Sequence, residues 1–264
     1  MTSEHRRLEA AIEVPGTPEQ VWEAIATGPG ITAWFMPTEV EEHEGGAVRM
    51  DHGPAVQSTA VVSAWDRPHR FAYEEEEWQP AQAPGGPRIA TEFLVEARAG
   101  GTCVVRVVMS GFGEGDDWDR AMESFTSGWQ TALESLRLYL AHFPGQHASP
   151  IAVSGATRNA SPDEIWQSFT DALGLAEAAE GGRAATSGPG VPAFAGKVER
   201  AEERMLTLVL EEPAPGLGFL GVGGPADEVF TIVRAQLFGE GAEAVAAREQ
   251  PAWRAWMDEH FPSS

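Results

Sequence analysis

The residues best able to do chemistry lie in Phe71-Ala72-Tyr73-Glu74-Glu75-Glu76-Glu77-Trp78, four consecutive carboxylates behind two aromatic rings. On a strand, alternate side chains face opposite ways, so two of the four glutamates would share a face with Phe71 and Tyr73. A carboxylate turned into an apolar interior has a raised pKa and can act as acid or base, with Tyr73, Glu75 and Glu77 as the groups concerned. Such a run more often frays into a solvated strand end, which is the expectation here. Gly216-Leu217-Gly218-Phe219-Leu220-Gly221 spells GxGxxG. A dinucleotide site needs a strand before that motif and a helix after it. Pro213 and Pro215 precede it and Gly223-Gly224-Pro225 follow, so it reads as a glycine-rich hairpin. The seven histidines show no HExxH, and a metal held by His43, His52 and His69 would need three strands to converge. There is no nucleophile elbow and no Walker loop. The expectation is therefore no catalytic residue, no metal and no cofactor.

Those residues are carried by elements that the periodicity makes visible. Asp116 to Phe143 predicts one long helix, with Trp118, Met122, Phe125, Trp129, Leu133, Leu136, Leu140 and Phe143 at steps of three and four. Asp116 and Asp117 suit its start, and Pro144-Gly145 its end. Gly128, in the middle of the helix, suggests the close approach of a neighbouring backbone. Before the helix, Glu9 to Val14 reads as a strand. Thr17-Pro18-Glu19-Gln20 forms a capping box that opens a helix carrying Trp22. Strands joined by hairpin-like turns follow from Val40 to Phe112. In the last two, Thr91, Phe93 and Val95 share one face, as do Cys103, Val105, Val107 and Met109. The long helix must cover that face, which gives an α+β fold with a curved antiparallel sheet around a C-terminal helix.

The pattern then repeats. Ser161-Pro162-Asp163-Glu164-Ile165-Trp166 echoes the capping box and its tryptophan, FGEG at 112–115 returns at 238–241, and His142-Phe143-Pro144 returns as His260-Phe261-Pro262. Two domains follow, 1–145 and a shortened copy at 151–264, with Trp22 and Trp166 in equivalent places. In the second copy Gly181 to Pro192 reads as a flexible loop, and Pro251 is expected to interrupt the last helix.

Composition narrows the functions open to the chain. With 264 residues, 42% of them hydrophobic, it can bury a substantial core. A net charge of −22 disfavours nucleic acid and anionic membrane surfaces as partners. The single cysteine, Cys103, makes no intramolecular disulfide, and no apolar run reaches the length of a signal peptide or a membrane span. The expected location is the cytoplasm.

Taken together, the strand, the capped helix, the Ile31-Thr32-Ala33-Trp34-Phe35 segment, the Gly45-Gly46 hairpin, the meander and the long helix with Gly128-Trp129 and Leu133/Leu136/Leu140 resemble the SRPBCC superfamily. Within it they look like the branch named for heat-shock-protein-90 ATPase activator homologues. The resemblance implies a START-like helix-grip fold around a hydrophobic cavity, duplicated here with a shortened second copy. With the aromatic and methionine inventory it implies a cavity lined by Trp34, Phe35, Met50, Trp65, Phe71, Tyr73, Phe93, Met109, Met122, Phe125 and Trp129. The function expected is non-catalytic binding of a small hydrophobic molecule. The alternatives are a chaperone-interacting module and an aromatase/cyclase-type enzyme.

Overall fold

The computed structural model describes residues 6–53, 56–75, 89–112, 116–224 and 227–261. Glu76, Glu77 and Trp78 of the acidic run lie outside them. The chain divides into two compact units at Gly145/Gln146.

The first unit runs β1 (Arg6–Pro15), α1 (Pro18–Ala26), α2 (Gly28–Thr32), β2 (Thr38–Val40), β3 (Ala47–Gly53), β4 (Val56–Asp66), β5 (Arg70–Glu75), β6 (Ile89–Arg98), β7 (Thr102–Phe112) and α3 (Asp116–His142). Its seven strands pair in the order β1-β7-β6-β5-β4-β3-β2, all antiparallel, so the first strand closes on the last. The second unit runs β8 (Ser149–Thr157), α4 (Pro162–Leu173), β9 (Arg183–Ala185), β10 (Ala195–Glu202), β11 (Met205–Glu212), β12 (Gly216–Gly223), β13 (Val229–Leu237) and α5 (Ala242–His260). Its six strands pair in the order β8-β13-β12-β11-β10-β9. Each unit is a helix-grip fold, and the fold is duplicated with a shortened second copy.

Local chemistry explains the starts and stops. The Thr17 hydroxyl accepts from the Gln20 amide at 3.4 Å while the Thr17 amide donates to Gln20 Oε1 at 2.9 Å, which completes the capping box. Ser161 makes no such bond; in that first turn the Asp163 carboxylate accepts from Arg204 at 2.8 Å. Both closing helices end alike: Phe143 N–H donates to Tyr139 C=O and Phe261 N–H to Met257 C=O, each at 2.7 Å, and both phenylalanine rings are buried.

Four expectations change. Gly128 admits no neighbouring backbone, since a Cβ built there would meet nothing within 4 Å. A glycine that close approach does require is Gly30, where a Cβ would fall 1.9 Å from the Glu23 carbonyl, between α1 and α2. Trp166 is only half-buried, and the deep position on α4 belongs to Phe169, packed on Trp256 and Phe261 with ring centroids 6.2 and 5.3 Å away. The stretch 181–192 is tied down: Thr186 accepts from Phe194 N–H at 2.9 Å and donates to the Pro192 carbonyl at 2.8 Å.

The fourth change concerns α5, which runs unbroken through Pro251. A proline inside a helix costs about 3 kcal/mol. Burial of Trp253, Trp256 and Met257 on the following turns offsets this, at about 1.5 to 3 kcal/mol for each large side chain. The residue before the proline also ties the helix to the sheet. The Gln250 side-chain amide exchanges two hydrogen bonds of 2.9 Å with the backbone of Ala152, and Arg254 donates to the Ser154 carbonyl at 3.1 Å. Both acceptors lie on β8, the edge strand of the second sheet.

Gly128→Ala should therefore stabilise the protein by about 1 kcal/mol, read as a higher denaturation midpoint; a loss would mean that something occupies that face of α3. Trp22, 1% exposed and packed edge-on against Trp65, should cost about 3 to 5 kcal/mol when replaced by alanine. Trp166→Ala should cost clearly less, and equal losses in denaturant titrations would contradict the burial difference.

Candidate binding site on the inner sheet face of the first unit

β5 is six residues long, and its parity decides what enters the interior. Phe71, Tyr73 and Glu75 point inward opposite Phe93, Thr91 and Ile89 of β6, in direct register. On the other flank Tyr73 faces Val62 and Glu75 faces Ala60. A bulge between Val62 and Ala64 switches the parity of β4, so that Val62 and Trp65 both turn in; Trp65 then pairs with Phe71.

The expected lining residues form a run of ring contacts. Trp34 stacks on Phe35 and Phe35 on Trp129, each at 5.4 Å between centroids. Trp129 meets Phe93 edge-on at 5.5 Å, Phe93 stacks on Phe71 at 6.1 Å, and Phe71 touches Tyr73 and Trp65. Trp34 is anchored by its indole N–H to the Ala24 carbonyl at 2.9 Å, and Trp129 donates to the Met109 sulfur at 2.7 Å. Met50, like Met109, is buried, while Phe35, Trp65, Met122 and Phe125 are half-buried. Phe125 packs on Phe112 of β7 at 5.9 Å.

Into this apolar wall the strand sets a carboxyl group. Glu75 is 9% exposed and has no hydrogen-bond partner among the described residues. Burial pushes its pKa up from 4.5 to about 7. Burial also raises the Tyr73 hydroxyl well above its ordinary range, Glu75 adds to the effect, and a hydrogen bond with Thr91 opposes it. The solvated strand end expected of the acidic run is thus wrong for Glu75, whose register with Ala60 and Ile89 turns it inward. Glu249, the other buried carboxylate among the described residues, is paired with Arg248 at 2.8 Å. Thr91 was legible only as a strand residue, since nothing in the sequence marks its contact with Tyr73. An inward acid that ionises near neutrality beside a buried phenol can exchange a proton with a bound molecule or take a hydrogen bond from one.

Residues 15–141 match the family model described as Activator of Hsp90 ATPase homolog 1-like protein. The first unit is a helix-grip domain of the SRPBCC superfamily. It belongs to the branch of Activator of Hsp90 ATPase homolog 1-like proteins. Among solved structures the chain is similar to a Mesorhizobium loti protein at 22% identity, over 52% of this chain and 97% of the other, with a TM-score of 0.45. It is similar to the Aha1 dimer of Colwellia psychrerythraea at 18% identity, over 51% and 96%, with a TM-score of 0.43. The di-domain ARO/CYC BexL from the BE-7585A biosynthetic pathway aligns over 97% and 96% at 15% identity, with a TM-score of 0.46. No curated protein matches the chain. No helix among the described residues is long and apolar enough to cross a membrane.

The raised pKa of Glu75 has a consequence for stability. The native state holds this proton more tightly than the unfolded chain, so ionisation opposes folding; the loss begins above pH 4.5 and is complete above about 7. Glu75→Gln should stabilise the protein by up to about 3 kcal/mol at pH 8 and by almost nothing at pH 4. Equal effects at both pH values in denaturant titrations would show that Glu75 ionises as it does in water.

Proposed function

We propose that the first unit, residues 1–145, binds a small and mostly apolar molecule in a cavity on the ring-lined inner face of its sheet, without catalysing a reaction. The observation that carries this reading is Glu75, a buried carboxyl without a hydrogen-bond partner among the described residues, in a wall of Phe71, Tyr73, Phe93 and Trp129. A group so placed costs stability unless something completes its hydrogen bonding, and a bound ligand would complete it. The lining is the set named from the sequence, from Trp34 and Phe35 through Met50, Trp65 and Met109 to Met122 and Phe125. The second unit, residues 151–264, is read as a shortened copy that does not share the site.

Heating the full chain with lipids, aromatic polyketides and isoprenoids should raise its melting temperature for at least one class, and native mass spectrometry should show one bound molecule. Trp129→Ala should abolish that shift while the fold remains. A panel with no shift and no co-purified ligand would overturn the reading. The family match favours a second reading, a chaperone-interacting module, because the family is named for an activator of the Hsp90 ATPase. The purified chain should then bind the host's Hsp90 homologue and change its ATPase rate; absence of both removes that reading.

A further inference from the structure

We infer that the ligand of this inner face is a lipophilic amine, an apolar ring-bearing molecule whose protonated nitrogen pairs with the Glu75 carboxylate. The inference rests on the reading of that face as a ligand site and adds the chemical class. Glu75 sits between Ala60 and Ile89, neither of which can donate a hydrogen bond, and its neighbour Tyr73 is engaged with Thr91. Among the described residues nothing donates to the carboxylate, so its complement in this reading is a donor on a bound molecule.

Among donors, charge decides. A carboxylic acid would bring a second negative charge into an apolar wall, in a chain that already carries −22. A neutral alcohol could donate, but it would leave the charge of the ionised carboxyl uncancelled in that wall. A protonated amine cancels it and makes a charge-assisted hydrogen bond. The same wall supplies ring faces to a cation, since Tyr73 touches Phe71, which stacks on Phe93, which meets Trp129. The apolar body of the molecule then lies along the rings that continue to Phe35 and Trp34.

Binding is coupled to a proton. Burial holds the free carboxyl near 7, so below that pH the amine must displace a proton from Glu75. Among the described residues Tyr73 is the titratable neighbour on the same face of β5, while Glu74 and Arg70 lie on its other face; Ala60 and Val62 of β4, Ile89 and Thr91 of β6, and Phe125 and Trp129 of α3 carry no charge. Affinity for an amine should rise roughly tenfold per pH unit below 7 and flatten above it.

The test uses three probes with one body, 2-naphthylethylamine, 2-naphthylethanol and 2-naphthylacetic acid, titrated calorimetrically into the full chain and into Glu75→Gln. In the wild type at pH 7.5 the amine should bind at least tenfold more tightly than the alcohol, and the acid most weakly. Glu75→Gln should narrow the gap between amine and alcohol to under threefold and remove the pH dependence between 5.5 and 7.5. The variant changes the net charge by one, so a general attraction of the acidic surface for cations persists in it and is subtracted. An amine preference that survives in Glu75→Gln, or an alcohol that binds as tightly as the amine, would overturn the inference and leave the ligand site standing. Failure of all three probes and of every lipid, polyketide and isoprenoid would overturn the site itself.

Discussion

In each unit the pairing of the first strand with the last carries the architecture. β1 lies antiparallel to β7 from Arg6↔Phe112 to Pro15↔Thr102, and β8 to β13 from Ser149↔Leu237 to Thr157↔Val229. These contacts join residues about a hundred positions apart in the first unit and about eighty in the second, so they form only after large loops close. Once made, they fix which end of the meander meets the closing helix. The intervening hairpins have a single direction left to run, and the inward parity of every strand follows.

Much of this is written in the sequence because it is local. The Thr17 capping box needs four residues, the seam of α3 needs a period of 3.6, and the inward faces of β6 and β7 need a period of two. The matching ends of the two units, with Phe143 and Phe261 capped alike, are legible for the same reason. Other features depend on relations that a sequence does not display. Glu75 and Glu74 are chemically identical neighbours. Which of them enters the core is set by the register of β5 against β6 and by the bulge in β4, both tertiary facts. Gly128 invites a packing explanation, yet it faces open space, while Gly30, a glycine that packing does demand, carries no distinguishing pattern around it. Phe169 displaces Trp166 from the depth of α4 because Trp256 and Phe261 offer it a partner from the far end of the unit.

The candidate site was legible by composition and illegible by constellation. A concentration of tryptophan, phenylalanine and methionine in one half of the chain raises the expectation of an interior that can receive a guest, and those rings do meet along the sheet, Phe71 stacked on Phe93 and Phe93 edge-on to Trp129. The polar element of that interior on which the proposed ligand preference rests is one carboxyl, hidden in a run that looks like solvated surface. Two ordinary causes, strand alternation and register, convert a surface-type residue into an ionisable group that is poised near neutrality.

The clasp between Gln250 and Ala152 bears on how copies of this chain behave when crowded. A sheet edge with free N–H and C=O groups is a template for a strand from another molecule, and β8 is such an edge along nine residues. Gln250 imitates the backbone of an added strand, occupying both hydrogen-bonding groups of Ala152, and Arg254 takes the Ser154 carbonyl. At the opposite ends of the two sheets, β2 and β9 are three residues each, too short to recruit a partner. Pro251, which looks like a defect in α5, falls between the two clasping residues, within the turn that seals the edge against strand addition.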